Sequence, residues 1–511
     1  MKYPKDGEYA MKTSQTKAAF PDITDWDAIN WYKTEKYVDK LQKRIYRAES
    51  ENNSRKVRNL QRMLVHSNAA LLLAIKRVTQ INKGRKTPGI DGFRVLNNKN
   101  RAKLFDSMKT MNIYLHKPKP AYRKYIRKKN GKFRSLGIPV IKDRIYQEII
   151  RMALEPQAEV HFEPTSYGFR PKRGCHDATR RIMYNIMGNQ WTWVFEGDFA
   201  ACFDTLDHNF ILSQIKGFPL YKLVEKFLKA GYVDNDVFHD NDKGTPQGGI
   251  LSPLLANIAL NGMEEILGIT YKRVHPKDRD DVTYKTEGNY RMVRYADDFL
   301  IFAKSKEEIE AIYDILDPYL EKRGLELAED KTRITHISEG FDFLGFNFRR
   351  YETNDGFKHL NKPSKNSIQQ FKSKVNEICK NTLGQNVDEL IKRLNPLIVG
   401  TTNYWKVTAA KKTFSNMDYH IWKKIFRFIK RLHPRKSIKW IKKTYFPYYT
   451  DRGHKDNWVL TGPNQGNHLI KMSWTHIKRH IMIKFNYSPY DKLKTDYFKN
   501  RKNSYCKVKF A

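Results

Sequence analysis

The spacing of apolar and polar positions along this chain changes period several times, and each change marks an element. From Trp26 to Gln80 apolar residues recur at threes and fours: Leu60, Met63 and Leu64, then Leu71, Leu72, Leu73, Ile75 and Val78. That spacing predicts two or three amphipathic helices with a basic outer face. Asn82 to Gly92 interrupts it with three glycines and a proline and reads as a turn-rich loop. Lys124 to Pro139 alternates as a hairpin does, around Asn130-Gly131, a strong type I′ turn signal. Ile141 to Val160 returns to helical spacing, with Asp143-Arg144 at its start.

Further on, Trp193-Val194-Phe195 forms a strand-like run into Asp198, followed by a small-residue turn and a helix start through Phe203. Lys243 to Leu254 is a Gly-rich loop entering an apolar helix; lacking a Gly-Lys-Ser/Thr ending, it is no P-loop. Val293 to Phe302 reads as a second hairpin, its two β-forming arms presenting Tyr295-Ala296-Asp297-Asp298 at the tip. Ser305 to Arg323 reads as a helix with Ser305 as N-cap and Glu308 three residues on. Past residue 350 come basic amphipathic helices such as Tyr419–Arg431.

Two neighbouring carboxylates raise each other's pKa unless a cation lies between them. A lone Asp-Asp turn is usually just solvated, but a turn presenting such a pair also suits a hard divalent ion. If the strand before Asp198 lies beside the hairpin, Asp198, Asp297 and Asp298 meet at one end of a sheet. Three carboxylates there could hold two Mg²⁺ ions for in-line attack of a hydroxyl on a phosphate.

Composition narrows the substrate. The 511 residues allow two to four domains, and 95 Lys+Arg against 55 Asp+Glu leave a net charge of +40. Residues 351–511 alone hold 34 basic against 10 acidic side chains. With 13% aromatic residues, this balance points to nucleic acid, where charge neutralises phosphate and rings stack on bases. Cys175, Cys202, Cys379 and Cys506 are far apart, which excludes a disulfide framework and a zinc site by spacing. No run approaches the length of a membrane span, and the first twenty residues lack a signal peptide's apolar core.

Taken together and in order, these segments resemble the reverse transcriptases encoded by group II introns. The Asp198 and Tyr-Ala-Asp-Asp segments look like motifs A and C. Lys243–Leu254 looks like motif B, and Gly324–Thr332 like motif D. Thr87-Pro88-Gly89-Ile90-Asp91-Gly92 resembles the family's template-gripping N-terminal loop, Ser166–Pro171 its Ser-x-Gly-Phe-Arg-Pro block, and Gly340–Phe346 its primer grip. Leu394–Tyr404, Lys412–Ser415 and His433–Phe446 resemble the maturase (X) domain, with Thr401 where many members have Trp.

The resemblance implies an α+β right-hand polymerase, its fingers and palm built on antiparallel sheet, followed by an α-helical thumb/maturase domain. Its divisions would be a basic helical extension with template-gripping loop (1–110), fingers and palm (111–350), thumb/maturase (351–450) and a basic DNA-binding-like tail (451–511). The tail ends at Ala511 without the zinc-dependent endonuclease of longer members. The resemblance makes Asp198, Asp297 and Asp298 the catalytic and metal-binding residues, with two Mg²⁺ as cofactor. Lys128 and Arg134 match the triphosphate-gripping pair, although Arg127 and Ser135 stand where the family has Pro. Gln247 would touch the templating pair. Phe203 would be the steric gate against a ribose 2′-OH, a core Phe being the other reading. Lys331 is either a proton donor to pyrophosphate or a surface lysine, and Arg170 and Arg173 contact template or only pack a turn.

The implied activity is RNA-directed DNA synthesis joined to splicing and mobility of a group II intron. The implied partners are the intron RNA, an RNA template with DNA primer, dNTPs and target DNA, with no membrane. The setting is bacterial cytoplasm, or an organelle. A splicing-only maturase and a related polymerase recruited to bacterial defence are the alternatives.

Overall fold

The computed structural model describes residues 25–127, 131, 133–274, 283–450, 453–463 and 467–506. Its centre is a four-stranded antiparallel sheet in the order Arg333–His336, Trp193–Gly197, Asp298–Ala303, Arg291–Tyr295. Successive side chains point to opposite faces of a strand. Here Met292, Phe195, Phe299 and Ile301 enter one hydrophobic core, while Val293, Val194, Leu300 and Phe302 enter a second. Both faces are therefore buried, which is why these strands read as continuous apolar runs although antiparallel sheets commonly leave one face to water.

The first core is closed by helices Trp31–Ser50, Ser54–Val65, Asn68–Lys76 and Ile141–His161. The second is closed by the three-stranded sheet Phe341–Phe343, Phe346–Thr353, Gly356–Pro363 and by helices Lys365–Asn381, Val387–Trp405 and Lys411–Leu432. The expected helix Ser305–Arg323 is broken at Ala311 into Lys306–Glu310 and Ile312–Glu321, yet Ala311 N still donates to Glu307 O and Ile315 N to Ala311 O. Ser305 caps it as its side chain accepts from Glu308 N at 3.2 Å.

A second four-stranded sheet carries the basic hairpin, in the order Phe133–Ile138, Ala121–Arg127, Tyr232–Asp234, Val237–His239. Its register pairs Arg127 with Phe133. Of the tip between them, Asn130 and the expected triphosphate-gripping Lys128 lie outside the described residues.

Residues 476–501, part of the segment 451–511 expected as a DNA-binding-like tail, pack against the palm. Asp177 Oδ1 accepts from Ile483 N at 2.8 Å, from His480 Nε2 at 3.0 Å and from Arg501 at 2.5 Å. Arg173 donates to Phe485 O at 2.9 Å, and the Phe485 ring stacks on Tyr284 at 3.9 Å. Tyr490 donates its hydroxyl to Glu155 at 2.5 Å. Among the described residues, no helix is long and apolar enough to cross a membrane.

Candidate active site

The Asp-Asp hairpin closes on the pair Tyr295–Asp298, leaving Ala296 and Asp297 as a two-residue turn. Ala296 takes φ +60°, a left-handed conformation that costs a residue with a Cβ about 1–2 kcal/mol. The turn is held there from behind. A Cβ on Gly168 would lie 2.3 Å from Ala296 N, so only glycine lets these backbones meet. Tyr167 N donates to Arg294 O at 2.9 Å and Arg294 N to Thr165 O at 3.0 Å, making residues 165–167 a short extra partner of the strand.

Beneath the turn lies the guanidinium of Arg294, fully buried. It donates to Asn257 Oδ1 at 3.2 Å, to Ala296 O at 3.3 Å and to Glu163 Oε2 at 3.4 Å. Asn257, on helix Ser252–Ala259, in turn donates to Gly168 O at 2.8 Å. Glu163 Oε1 accepts from the backbone N–H groups of Gly262 and Glu264 at 2.9 and 2.8 Å. Burial, then the Glu163 charge, pushes the Glu264 carboxyl up. Sequence reasoning assigned no role to Arg294, Asn257 or Glu163. The available signal was an arginine set between Met292-Val293 and the Tyr295-Ala296 turn, inside an otherwise apolar stretch of strand.

Asp198 follows the adjacent strand and is tied to the segment that brings in Lys331. Ala328 N donates to Asp198 O and Ala200 N to Glu326 O, both at 2.8 Å. This bridge delivers the Lys331 ammonium to the Asp198 carboxylate, and that hydrogen bond raises the lysine's pKa. Lys331 is thus neither free on the surface nor remote from the carboxylates. Burial and the Asp198 charge raise Asp297, with Arg134 and Lys331 opposing. Asp298 is pushed up to about 7 by desolvation, then by Asp297 and Asp198, although it opens to water on one side, where solvent screens part of the repulsion.

The fingers reach the same place. Arg134 Nε donates to Gln247 Oε1 at 2.8 Å and Gly137 N to Gln247 O at 2.7 Å. Gly248, at φ +117°, lies so close that a Cβ would stand 2.7 Å from Gly137 O. Phe203 O accepts from Thr245 N at 2.5 Å, and its ring is 8% exposed within the first core. Arg170 and Arg173 are buried: Arg170 grips Glu159 through two bonds of 2.9 and 3.0 Å, and Arg173 donates to Pro164 O at 2.8 Å. Both act in packing the turn rather than as exposed template contacts.

The donor set is chemically right for a hard cation, since carboxylate oxygens that repel one another are relieved by one. Among the described residues no three such side chains are drawn into a finished ligand cluster. Lys331 occupies one oxygen of the Asp198 carboxylate.

A sheet end bearing three carboxylates, two flanking cations and a Gly-rich loop is an arrangement that suits phosphoryl chemistry. Residues 126–348 match the model for reverse transcriptase (RNA-dependent DNA polymerase), residues 26–108 that for the N-terminal domain of reverse transcriptase, and residues 368–446 the group II intron maturase-specific domain. Protein YkfC of Escherichia coli is 34% identical over 349 residues, covering 62% of this chain and 90% of that protein. Group II intron-encoded protein LtrA of Lactococcus lactis is 37% identical over 52% of this chain and 53% of its own length. A 91 kDa protein in the cob intron of Schizosaccharomyces pombe is 30% identical over 59% and 45%. The alignments with these two intron proteins therefore span about half their length. The chain belongs to the group II intron family of reverse transcriptases, joining an RNA-directed DNA polymerase domain to a maturase domain.

Replacing Arg294 with Met leaves Glu163 buried without its cation, a change that costs about 3–5 kcal/mol. Arg294→Lys keeps the charge but loses the fork that reaches Ala296 O and Asn257 together. We expect thermal unfolding to show a large loss of stability for Met and a small one for Lys. Primer extension should fall in both, and a Lys variant with wild-type turnover would contradict a positioning role.

The raised Asp298 carboxyl gives a signed pH dependence. Its contribution to stability is full below the ordinary carboxylate range and is lost as pH rises through about 7. In chelator, Asp298→Asn should therefore gain melting temperature over wild type as pH goes from about 5 to about 8.5. Added Mg²⁺ should narrow that gap at the higher pH. A gap independent of pH and Mg²⁺ would refute the carboxylate crowding.

Proposed function

We propose that this chain extends a DNA primer on an RNA template by a two-metal mechanism and also binds and assists a group II intron RNA. The observation that carries the reading is the mutual crowding of Asp198, Asp297 and Asp298 at one sheet end, with Lys331 and Arg134 facing them. Asp198, Asp297 and Asp298 would hold two Mg²⁺ ions, which would supply charge stabilisation at the attacking and leaving oxygens. Arg134 would neutralise a triphosphate bidentately through its terminal nitrogens while Gln247 accepts from its Nε. Lys331, held as a cation by Asp198, is the proton carrier nearest the carboxylates for a departing pyrophosphate. Phe203 closes the sugar side as the steric gate, its backbone pinned by the Gly-rich loop. The 34 basic side chains of residues 351–511 would hold RNA largely through phosphate neutralisation. Residues 1–110 would carry the template-gripping loop, 111–350 the fingers and palm, 351–450 the thumb.

The test is primer extension on an RNA template with Mg²⁺, dNTPs or NTPs. Asp298→Asn should abolish cDNA synthesis while intron RNA affinity stays near wild type, because affinity comes from distributed charge. Synthesis by that variant would remove the catalytic assignment. A wild-type protein that binds and splices intron RNA but makes no cDNA would establish the splicing-only alternative.

Phe203→Val should raise the use of NTPs relative to dNTPs while dNTP incorporation remains measurable, because the ring's volume is what a 2′-OH would meet. An unchanged ratio would make Phe203 a packing residue of the first core.

A further inference from the structure

Between helices Lys365–Asn381 and Lys411–Leu432 of the thumb runs a groove of about 360 Å³, far from the aspartates in sequence. Its floor is Met417 and Ile368, and its polar lining is Lys372, Asn416, His420 and Lys423. None of its lining residues is acidic. Asp418, the one acidic residue on helix Lys411–Leu432, is turned away, its carboxylate accepting from Met472 N and Ser473 N at 2.7 and 2.9 Å. Lys372 is half-buried along the groove, and no ion pair to it is found among the described residues.

His420 adds a second observation. Its Nε2 is buried and has no hydrogen-bond partner. Burial, then Lys424, Lys372 and Lys423, holds its pKa below the ordinary histidine value, so near neutral pH the ring is neutral. A buried polar atom without a partner costs free energy that a bound group could recover. At the rim Tyr419 is 57% exposed, and the Lys423 ammonium stands 4.4 Å from the centre of its ring. Tyr419 is also stacked on Trp422 with ring centres 6.0 Å apart, so an exposed aromatic stack stands beside the cations, one neutral imidazole and an amide. That set suits a phosphate joined to a planar base.

Resting on the reading of this chain as an RNA-binding protein, we propose that this thumb groove holds one unpaired nucleotide of RNA. Its phosphate lies on Lys372 and Lys423, and its base lies against Tyr419 and Met417. The groove's volume stands at the lower end of small-ligand pockets, about 300–1,000 Å³, room for one nucleotide, and a base is free to enter it only when unpaired and unstacked.

The test uses the full chain and fluorescence anisotropy with two probes of equal length, a single-stranded RNA and a blunt RNA duplex, across a salt series. Lys372→Gln and Tyr419→Ala are each expected to weaken single-strand binding about ten-fold while duplex binding moves far less. Lys372→Gln should also reduce the salt slope for the single strand by about one, whereas Tyr419→Ala leaves it in place. Melting temperatures of both variants check that the thumb is folded, and ultraviolet crosslinking of the single-strand probe to Tyr419 gives a readout independent of affinity. Equal losses on both probes would reduce the groove to general surface charge and overturn the proposal, as would variants that bind like wild type. If the wild-type chain binds neither probe, the RNA-binding reading itself fails, an outcome distinct from a failed groove.

Discussion

The active end of this molecule depends on a buried guanidinium. Arg294 puts a positive charge directly behind a turn that carries two carboxylates, and it shares its donors between the turn's backbone, the helix of the Gly-rich loop and Glu163. A charge taken out of water is tolerable only when paired and hydrogen-bonded. Three separate chain segments must therefore be in place before the arginine's terminal nitrogens find their acceptors, and their arrival holds Ala296 in a conformation it would not choose alone. The turn is specified from beneath, by packing and polar satisfaction, and not by its own residues.

The palm sheet extends that dependence to the rest of the fold. Its strands bury both faces, one against the N-terminal helices and one against the thumb, so neither half can shift without disturbing the strands that end in the aspartates. Gly197 shows how tight the fit is: a Cβ there would lie 2.2 Å from the Phe299 ring on the neighbouring strand. Residues 476–501 add a third tie by converging on Asp177 and Glu155. A polar residue on either strand face therefore needs its own partner at the edge of a core, as Arg294 has in Glu163 and Glu196 in Arg333.

Electrostatics at the site follows from that rigidity. Carboxylates held at the end of a stiff sheet cannot relax apart, so burial first and mutual repulsion second show as raised pKa values at Asp297 and Asp298 instead of as movement. Lys331 and Arg134 supply compensating charge from the far side, each delivered by a backbone contact, Ala328 N to Asp198 O and Gly137 N to Gln247 O. The same chain spreads its remaining positive charge over the thumb, where lysines such as Lys372 face a groove with no carboxylate to pair with.

Much of this was legible from residue order alone. Period and turn chemistry located both hairpins, the helix after Pro139 and the cap at Ser305, because these are local preferences of a few consecutive residues. The carboxylate triad and the Gly-rich loop stood out because their chemistry is carried by the residue types themselves. What the sequence could not determine depends on residues brought together across the chain. Arg170 and Arg173 read equally as template contacts until Glu159 and Pro164 O were seen to occupy them. That Lys331 pairs with Asp198, 133 residues away, was likewise not to be read from residue order. Arg294, Asn257 and Glu163 carry no local signal of acting together, since 37 and 131 residues separate Arg294 from the other two. Burial and partnership are properties of the packed chain, and only tertiary structure decides them.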